Sequence, residues 1–504
     1  MKETSPPAGS KTARKDVSPS RLAGAGTIVR RAWPLAGLLA LLLALAVPAA
    51  LVVVPGFISP LPPAAAPSVP VWQQPPATLS ARQGLTPLLD SAPVPLPSAV
   101  TAQLDTLLKP DGDGSFTGFV QDALTGNVLY DRGGSENRVP ASNMKLFTAA
   151  AALRSLGPDH RFSTRVLAGT TANQVVLTGG GDVLLNAGGS APDRVMGHAG
   201  LGTLAAATVA ALQAQGTTGE LTVLVDDSLF SGPALNPAWA DGDVAAGEVA
   251  PLYPLALNSA RYNPAVTTGP RPQDSAVTAA EAFAGQLKAA GAAAGLTVAA
   301  GVGRSTPAEA GTAGSAVLAE VQSATVGEQV DLMLQTSDNY LAEVLGRMAA
   351  AATGRPASND GATAAVQAQL AELGIDTPTM RFADVSGLAI GNQVSARQLA
   401  EVVRAITDGT DQRLREALDG FPVAGLTGTL DARYEGAATS RGAGLVRAKT
   451  GTLNTVIALS GYVVDADGRL LVFSFIGNGL APGAAGNRDA VDRAAAALAA
   501  CGCR

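Results

Sequence analysis

The sequence predicts an α+β fold, and three observations carry that reading. Ser115 to Gln121 and Asn127 to Asp131 have the make-up of two strands joined by a turn at Leu124-Thr125-Gly126. Near the far end, Leu445–Ala448, Thr455–Val464 and Leu470–Ile476 are strand-like again, with Asp465-Ala466-Asp467-Gly468 as a hairpin turn. Between these groups the pattern is helical over Val326–Leu334, Tyr340–Ala352, Thr363–Leu373 and Ala396–Ile406, and an Ala-rich helix over Arg488–Ala500 follows the last strand.

Composition narrows the classes of function. The chain has 504 residues, 47% of them hydrophobic, ample for a large core and too long for one ordinary domain. The first 31 residues carry seven basic side chains against two acidic ones, so a net charge of −6 divides into +5 for this head and −11 for the rest. An acidic body argues against nucleic acid as a partner. From Ala32 to Ile58 the sequence is almost wholly apolar, and no charge appears between Arg31 and Arg82. A basic head before such a run predicts a membrane-targeting segment with the body outside the cytoplasm, and its 27 residues suit a retained anchor better than a cleaved signal. Eleven prolines in residues 59–98 then predict a stiff, extended linker.

The middle has another texture. Residues 160–319 show short β-like runs, Gln174–Leu177 and Leu221–Val225, broken by Gly-rich turns such as Gly179-Gly180-Gly181-Asp182, with a helix expected at Ala279–Ala290. This segment reads as a β-rich inserted module with its own small core, dividing a main domain into 99–159 and 320–500.

The chemistry concentrates in three short motifs, Ser142-x-x-Lys145, Ser337-Asp338-Asn339 and Lys449-Thr450-Gly451. Ser142 and Lys145, three residues apart, share a helix face, and the apolar run Leu146–Leu153 predicts a buried helix starting near Ser142. At a helix start the dipole disfavours an ammonium, which helps a lysine to act as a base. With only His160 and His198, a Ser-His-Asp triad is hard to build and a multi-histidine zinc site impossible, so both histidines read as structural or surface residues. Cys501 and Cys503 read as an exposed terminal pair, since a bridge over one residue would be strained.

The ordered trio occurs in penicillin-binding proteins and class A β-lactamases. The wider sequence around it, including Ala141–Leu153, Ser337–Glu343, Asp384–Leu388, Pro422–Leu430 and Asn236-Pro237 with Trp239, resembles the D-alanyl-D-alanine carboxypeptidase/endopeptidase family, the class C low-molecular-mass penicillin-binding proteins or S13 peptidases. The resemblance covers roughly residues 100–500 and implies an antiparallel sheet drawn from both ends of the chain and flanked by helices. It accounts for the insertion, which is shorter here than in the best-known members, so one of two usual subdomains is expected to be reduced. It further implies cleavage of peptidoglycan stem peptides through an acyl-serine, without metal or organic cofactor, and acylation by β-lactams. Ser142 would attack, Lys145 would take its proton, Ser337 would relay a proton to the leaving amine and Asn339 would hold the substrate amide. Lys449 and Thr450 would bind the terminal carboxylate, with Lys449 also pushing Lys145 toward the neutral amine. Gly451 would let substrate lie along the strand, and the N–H groups of Ser142 and Thr452 would form the oxyanion hole.

Two alternatives compete with this reading. A serine β-lactamase or esterase on the same scaffold would want a deacylating glutamate. Glu372-Leu373-Gly374-Ile375-Asp376 lies near the right place, but Glu372 ends a helix and Gly374 reads as its cap. A non-catalytic wall-binding protein would be expected to have lost one of the motifs. Carboxypeptidase and endopeptidase action share the nucleophile and are not separated by sequence, nor is the oligomeric state; Ser386 either lines the site or turns the chain.

Overall fold

The computed structural model describes residues 88–503 except 172, 307–314 and 484. The expected basic head, the apolar segment 32–58 and most of the linker lie outside the described residues. Among the described residues no helix is long and apolar enough to cross a membrane.

Helix α1 (Pro97–Leu107) opens the described body, with proline in its first turn where the missing N–H costs nothing. Strands β1 (Ser115–Asp122) and β2 (Val128–Arg132) follow as an antiparallel hairpin, and then α2 (Met144–Leu156). The intervening segment builds a second sheet from β3 (Arg161–Ala168), β4 (Gln174–Thr178), β5 (Gly219–Asp226), β6 (Leu296–Val298), β7 (Gly303–Arg304) and β8 (Val317–Thr325). Helices α3 (Leu201–Ala214), α4 (Asp241–Ala246) and α5 (Ser275–Gly291) are interspersed among these strands. The chain then runs through α6 (Val326–Thr336), α7 (Asn339–Ala352), α8 (Asn359–Glu372) and α9 (Ala396–Thr407). It closes with β9 (Arg447–Leu453), β10 (Val456–Val464), β11 (Leu470–Asn478) and α10 (Ala485–Ala499).

The main sheet has the order β2-β1-β11-β10-β9, antiparallel throughout, so both ends of the chain meet in its centre. Both of its faces are covered. Phe119, Val472 and Ile476 belong to a core with α2 and α6–α9, whereas Phe116, Val120, Phe473 and Phe475 pack with α1 and α10. That is why β11 is apolar without alternation. Local signals set the helix starts: Thr325 with Glu328 and Ser395 with Gln398 form capping boxes at α6 and α9. In α9 the buried Ala396, Leu399, Val403 and Ile406 form one stripe. By contrast α2 is buried at every position from Met144 to Leu153, so Lys145 has no route to solvent along its helix.

The second sheet, β6-β5-β4-β3-β8 with β7 beside β5, has a core of its own around Val175, Leu177, Val223, Phe283 and Leu287. It carries helices as well as strands, and β4, β5 and β6 run parallel, which the short β-like runs did not disclose. Trp239, Val249 and Leu252 from the same segment join the main core.

Two expectations are corrected. Residues 88–98, assigned to the linker, are tied to the body: Leu96 N donates to Cys503 O at 2.7 Å, and Arg469 Nη1 donates to Asp90 O at 2.8 Å. Cys501 and Cys503 are not exposed. They are buried and joined as a disulfide, because their backbone is held by Leu96 and Ala466 against the apolar end of α10. Arg469 also makes a bidentate pair with Asp122, at 2.7 and 2.5 Å, with both side chains buried. This pair joins the β10–β11 turn to the β1–β2 turn. Arg469→Ala leaves a buried carboxylate unpaired and is expected to lower stability by about 3–5 kcal/mol in urea unfolding; a loss below about 1 kcal/mol would assign the pair to the surface class.

Candidate active site

Ser142 sits in a 3-10 turn, Ala141–Asn143, that feeds directly into α2. The turn is forced: Ala141 has φ 48°, a left-handed value costly for an L-residue. Gly387 (φ +87°) lies so close that a Cβ there would stand 1.9 Å from the Ala141 carbonyl oxygen. Glycine at 387 is therefore what lets the loop Asp384–Leu388 reach the turn.

In the first turn of α2, the Lys145 amine is fully buried and lies 3.0 Å from Ser142 Oγ. Its other neighbours are Asn339 Oδ1 at 2.6 Å and the Ser386 carbonyl oxygen at 2.7 Å. Burial, the leading cause, pulls its pKa down to about 8, against the carboxylates of Asp384, Asp338, Glu343 and Glu248. The helix start and Lys449 were expected to push the amine toward its neutral form, and desolvation is the leading cause of the shift.

The second motif bridges α6 and α7. Ser337 caps α6 in the left-handed region at φ 57°, which turns its hydroxyl toward β9, where it accepts from Lys449 Nζ at 3.0 Å. Asp338 caps α7, accepting from Leu341 N at 3.0 Å. Asn339, expected to hold a substrate amide, has both ends of its own amide engaged: Oδ1 on Lys145, and Nδ2 donating to the Glu248 carbonyl at 3.1 Å.

The third motif lies on β9, the outer strand of the main sheet. Lys449 is fully buried, donates also to Thr450 O at 2.8 Å, and has its pKa held well below the usual lysine range by burial, Lys145 and Arg433. The Thr450 hydroxyl pairs with that of Thr429 at 2.7 Å, and Thr452 is exposed. Gly451 has a task besides the one expected. A Cβ there would meet Asn143 Nδ2 at 2.8 Å and Pro140 O at 2.9 Å, so the bare Cα makes room for the nucleophile turn. The structure thus gathers these residues into two neighbouring hydrogen-bonded groups, Ser142–Lys145–Asn339 and Ser337–Lys449–Thr450, with Gly451 against the nucleophile turn.

Several contributors carry no signal that sequence reasoning could use. The Ser386 carbonyl is a backbone group, while the Ser386 hydroxyl turns away to Asp384 Oδ2 at 3.2 Å. Asp384 is the hub of that loop, accepting from Gly387 N at 2.8 Å, Ala389 N at 2.7 Å, Asn392 Nδ2 at 2.7 Å and Trp239 Nε1 at 2.9 Å. Glu343 accepts from Val385 N and Ser386 N at 3.0 and 2.8 Å, and burial followed by Asp384 raises its pKa to about 7. Glu372 ends α8, more than half exposed and paired with Arg154 at 3.4 Å, with Gly374 left-handed after it. His198 pairs with Arg161 at 3.0 Å and His160 packs on Phe162, both structural contacts.

Known proteins resemble this chain in sequence and in fold. The chain is 37% identical to a carboxypeptidase of Mycobacterium tuberculosis, over 85% of this chain and 90% of that one. It is 32% identical to a D-alanyl-D-alanine carboxypeptidase of Actinomadura, over 79% of this chain and 84% of that one. In fold it is similar to penicillin binding protein 4 of Haemophilus influenzae, with a TM-score of 0.61 at 23% identity, covering 79% of this chain and 98% of that one. The family model for D-Ala-D-Ala carboxypeptidase 3 (S13) matches residues 100–280 and 268–500, and the chain belongs to that family.

Proposed function

We propose that this protein is a serine-type D-Ala-D-Ala carboxypeptidase/endopeptidase that acts on peptidoglycan stem peptides outside the cytoplasm. The observation that carries this reading is the Ser142 Oγ–Lys145 Nζ pair at 3.0 Å, with the amine fully buried and easily deprotonated. A neutral Lys145 takes the Ser142 proton as Oγ attacks the carbonyl of the D-Ala-D-Ala bond. The N–H groups of Ser142 and Thr452 stabilise the oxyanion. The C–N bond then breaks, the leaving amine receives a proton through Ser337, and an acyl-Ser142 ester remains for water to hydrolyse. Lys449 and Thr450, on the outer strand beside Ser337, bind the terminal carboxylate. An arriving carboxylate favours the ammonium form of Lys449, which burial alone opposes.

β-Lactams acylate the same serine as substrate mimics. The apolar segment 32–58 holds the body at the outer face of the membrane, with the proline-rich residues 59–87 as spacer. The relatives named as carboxypeptidases, aligned over most of both chains, support hydrolysis of the terminal D-Ala.

Incubating the purified protein with a defined pentapeptide stem and measuring free D-Ala tests the reading. Ser142→Ala is expected to reduce release by at least about 10⁴-fold, and release undiminished in that variant would refute it. Activity needs the neutral amine of Lys145, so kcat/KM should rise tenfold per pH unit below a midpoint near 8 and level off above it. Lys145→Arg cannot act as a base near neutral pH and should lose both activity and this limb.

A further inference from the structure

The central residue of the second motif, Asp338, does more than cap a helix. Its Oδ1 accepts from Leu341 N at 3.0 Å, while its Oδ2 lies 2.9 Å from Arg261 Nη1. Both side chains are nearly removed from solvent, at 1% exposure for Asp338 and 9% for Arg261. Arg261 comes from the segment between β5 and α5, far in sequence from α7, and it arrives by an unusual path. Asn258, Ser259 and Ala260, immediately before it, all have left-handed φ values of 53°, 58° and 53°. Three consecutive non-glycine residues in that region persist only where their surroundings over-determine them. Here Asn258 N donates to Leu185 O at 3.0 Å, Ser259 N to Val183 O at 2.7 Å, and Arg271 Nη1 to Ser259 O at 2.8 Å.

Other contacts from the same segment reach the neighbours of Asp338. The Glu248 carbonyl accepts from Asn339 Nδ2, and the Tyr340 hydroxyl accepts from Tyr253 N at 3.1 Å and pairs with Ser275 Oγ at 2.9 Å. Arg271 Nε donates to the Gly247 carbonyl at 2.5 Å, so one arginine braces the backbone at both Gly247 and Ser259. Every residue from Asp338 to Tyr340 therefore rests on this segment.

We infer that Arg261 is a positioning residue for acyl transfer: it neutralises Asp338 and thereby holds the start of α7 so that Asn339 Oδ1 stays on Lys145 and Ser337 Oγ stays on Lys449. This rests on the reading of Lys145 as the base. The charged groups acting on the Lys145 amine are the carboxylates of Asp338, Asp384, Glu343 and Glu248, with Lys449 as the cation coupled to it. Of these carboxylates Asp338 has a buried arginine of its own. Losing that arginine strips Asp338 of its ion-pair partner, leaving Arg271 as the more distant cation, and loosens the residue that orients the base.

The test uses the full chain with R261Q, R261K and the double variant R261Q/D338N. A chromogenic cephalosporin is the acylating probe, followed from pH 6 to 10, with thermal unfolding measured alongside. R261Q is expected to acylate about 100-fold more slowly at pH 7 and to show its acid limb about one pH unit higher. R261K should keep the parent limb and most of the rate, and R261Q/D338N should return the limb to the parent position by removing the orphaned charge. An R261Q protein that acylates like the parent overturns the inference. So does a slower R261Q with an unmoved limb that lysine fails to rescue, the mark of an arginine needed only for folding. Failure of the underlying reading looks different, because the parent itself would then show no acid limb.

Discussion

The structure is organised around a lysine amine that water cannot reach. Lys145 sits on a helix buried on all sides, and an isolated ammonium in such a place is costly. The protein answers with three oxygen neighbours from three separate parts of the chain: Ser142 on the same helix turn, Asn339 at the start of α7, and the Ser386 carbonyl in a loop pinned by Asp384 and Glu343. Each must be brought to within 3 Å of one atom. The left-handed Ala141, the glycine at 387 and the left-handed Ser337 are the backbone devices that do so.

A second lysine shares the buried site. Lys449 is as deeply buried as Lys145, and each cation weakens the other's hold on its proton. The free site therefore disfavours two ammonium groups at once. In the proposed function a substrate carboxylate at Lys449 would stabilise charge there while leaving Lys145 able to take a proton from Ser142, which would couple base strength to recognition of a free C-terminus.

Much of this was legible in the sequence because it is local. Ser142 and Lys145 declare their shared face by spacing, and the apolar run after them declares burial. The sheet drawn from both ends of the chain followed from resemblance and is what the strand order shows. What escaped is what depends on tertiary approach. A carbonyl such as that of Ser386 has no side-chain signature. Nothing local to Gly451 says that a Cβ there would run into Pro140 and Asn143. The cysteines looked like a loose tail because nothing in the sequence says that Leu96 and Ala466 will bond to their carbonyls. Parallel pairing of β4, β5 and β6 was hidden for the same reason, since strand direction is settled by partners distant in the chain.

The account stands on Ser142 being the atom that becomes acylated. The most direct measurement is the intact mass of the protein after brief exposure to benzylpenicillin, followed by peptide mapping of the product. A single adduct of the mass of one penicillin, located on the peptide that contains Ser142, is the predicted result. Absence of any adduct, or one located on a different nucleophile, would contradict it.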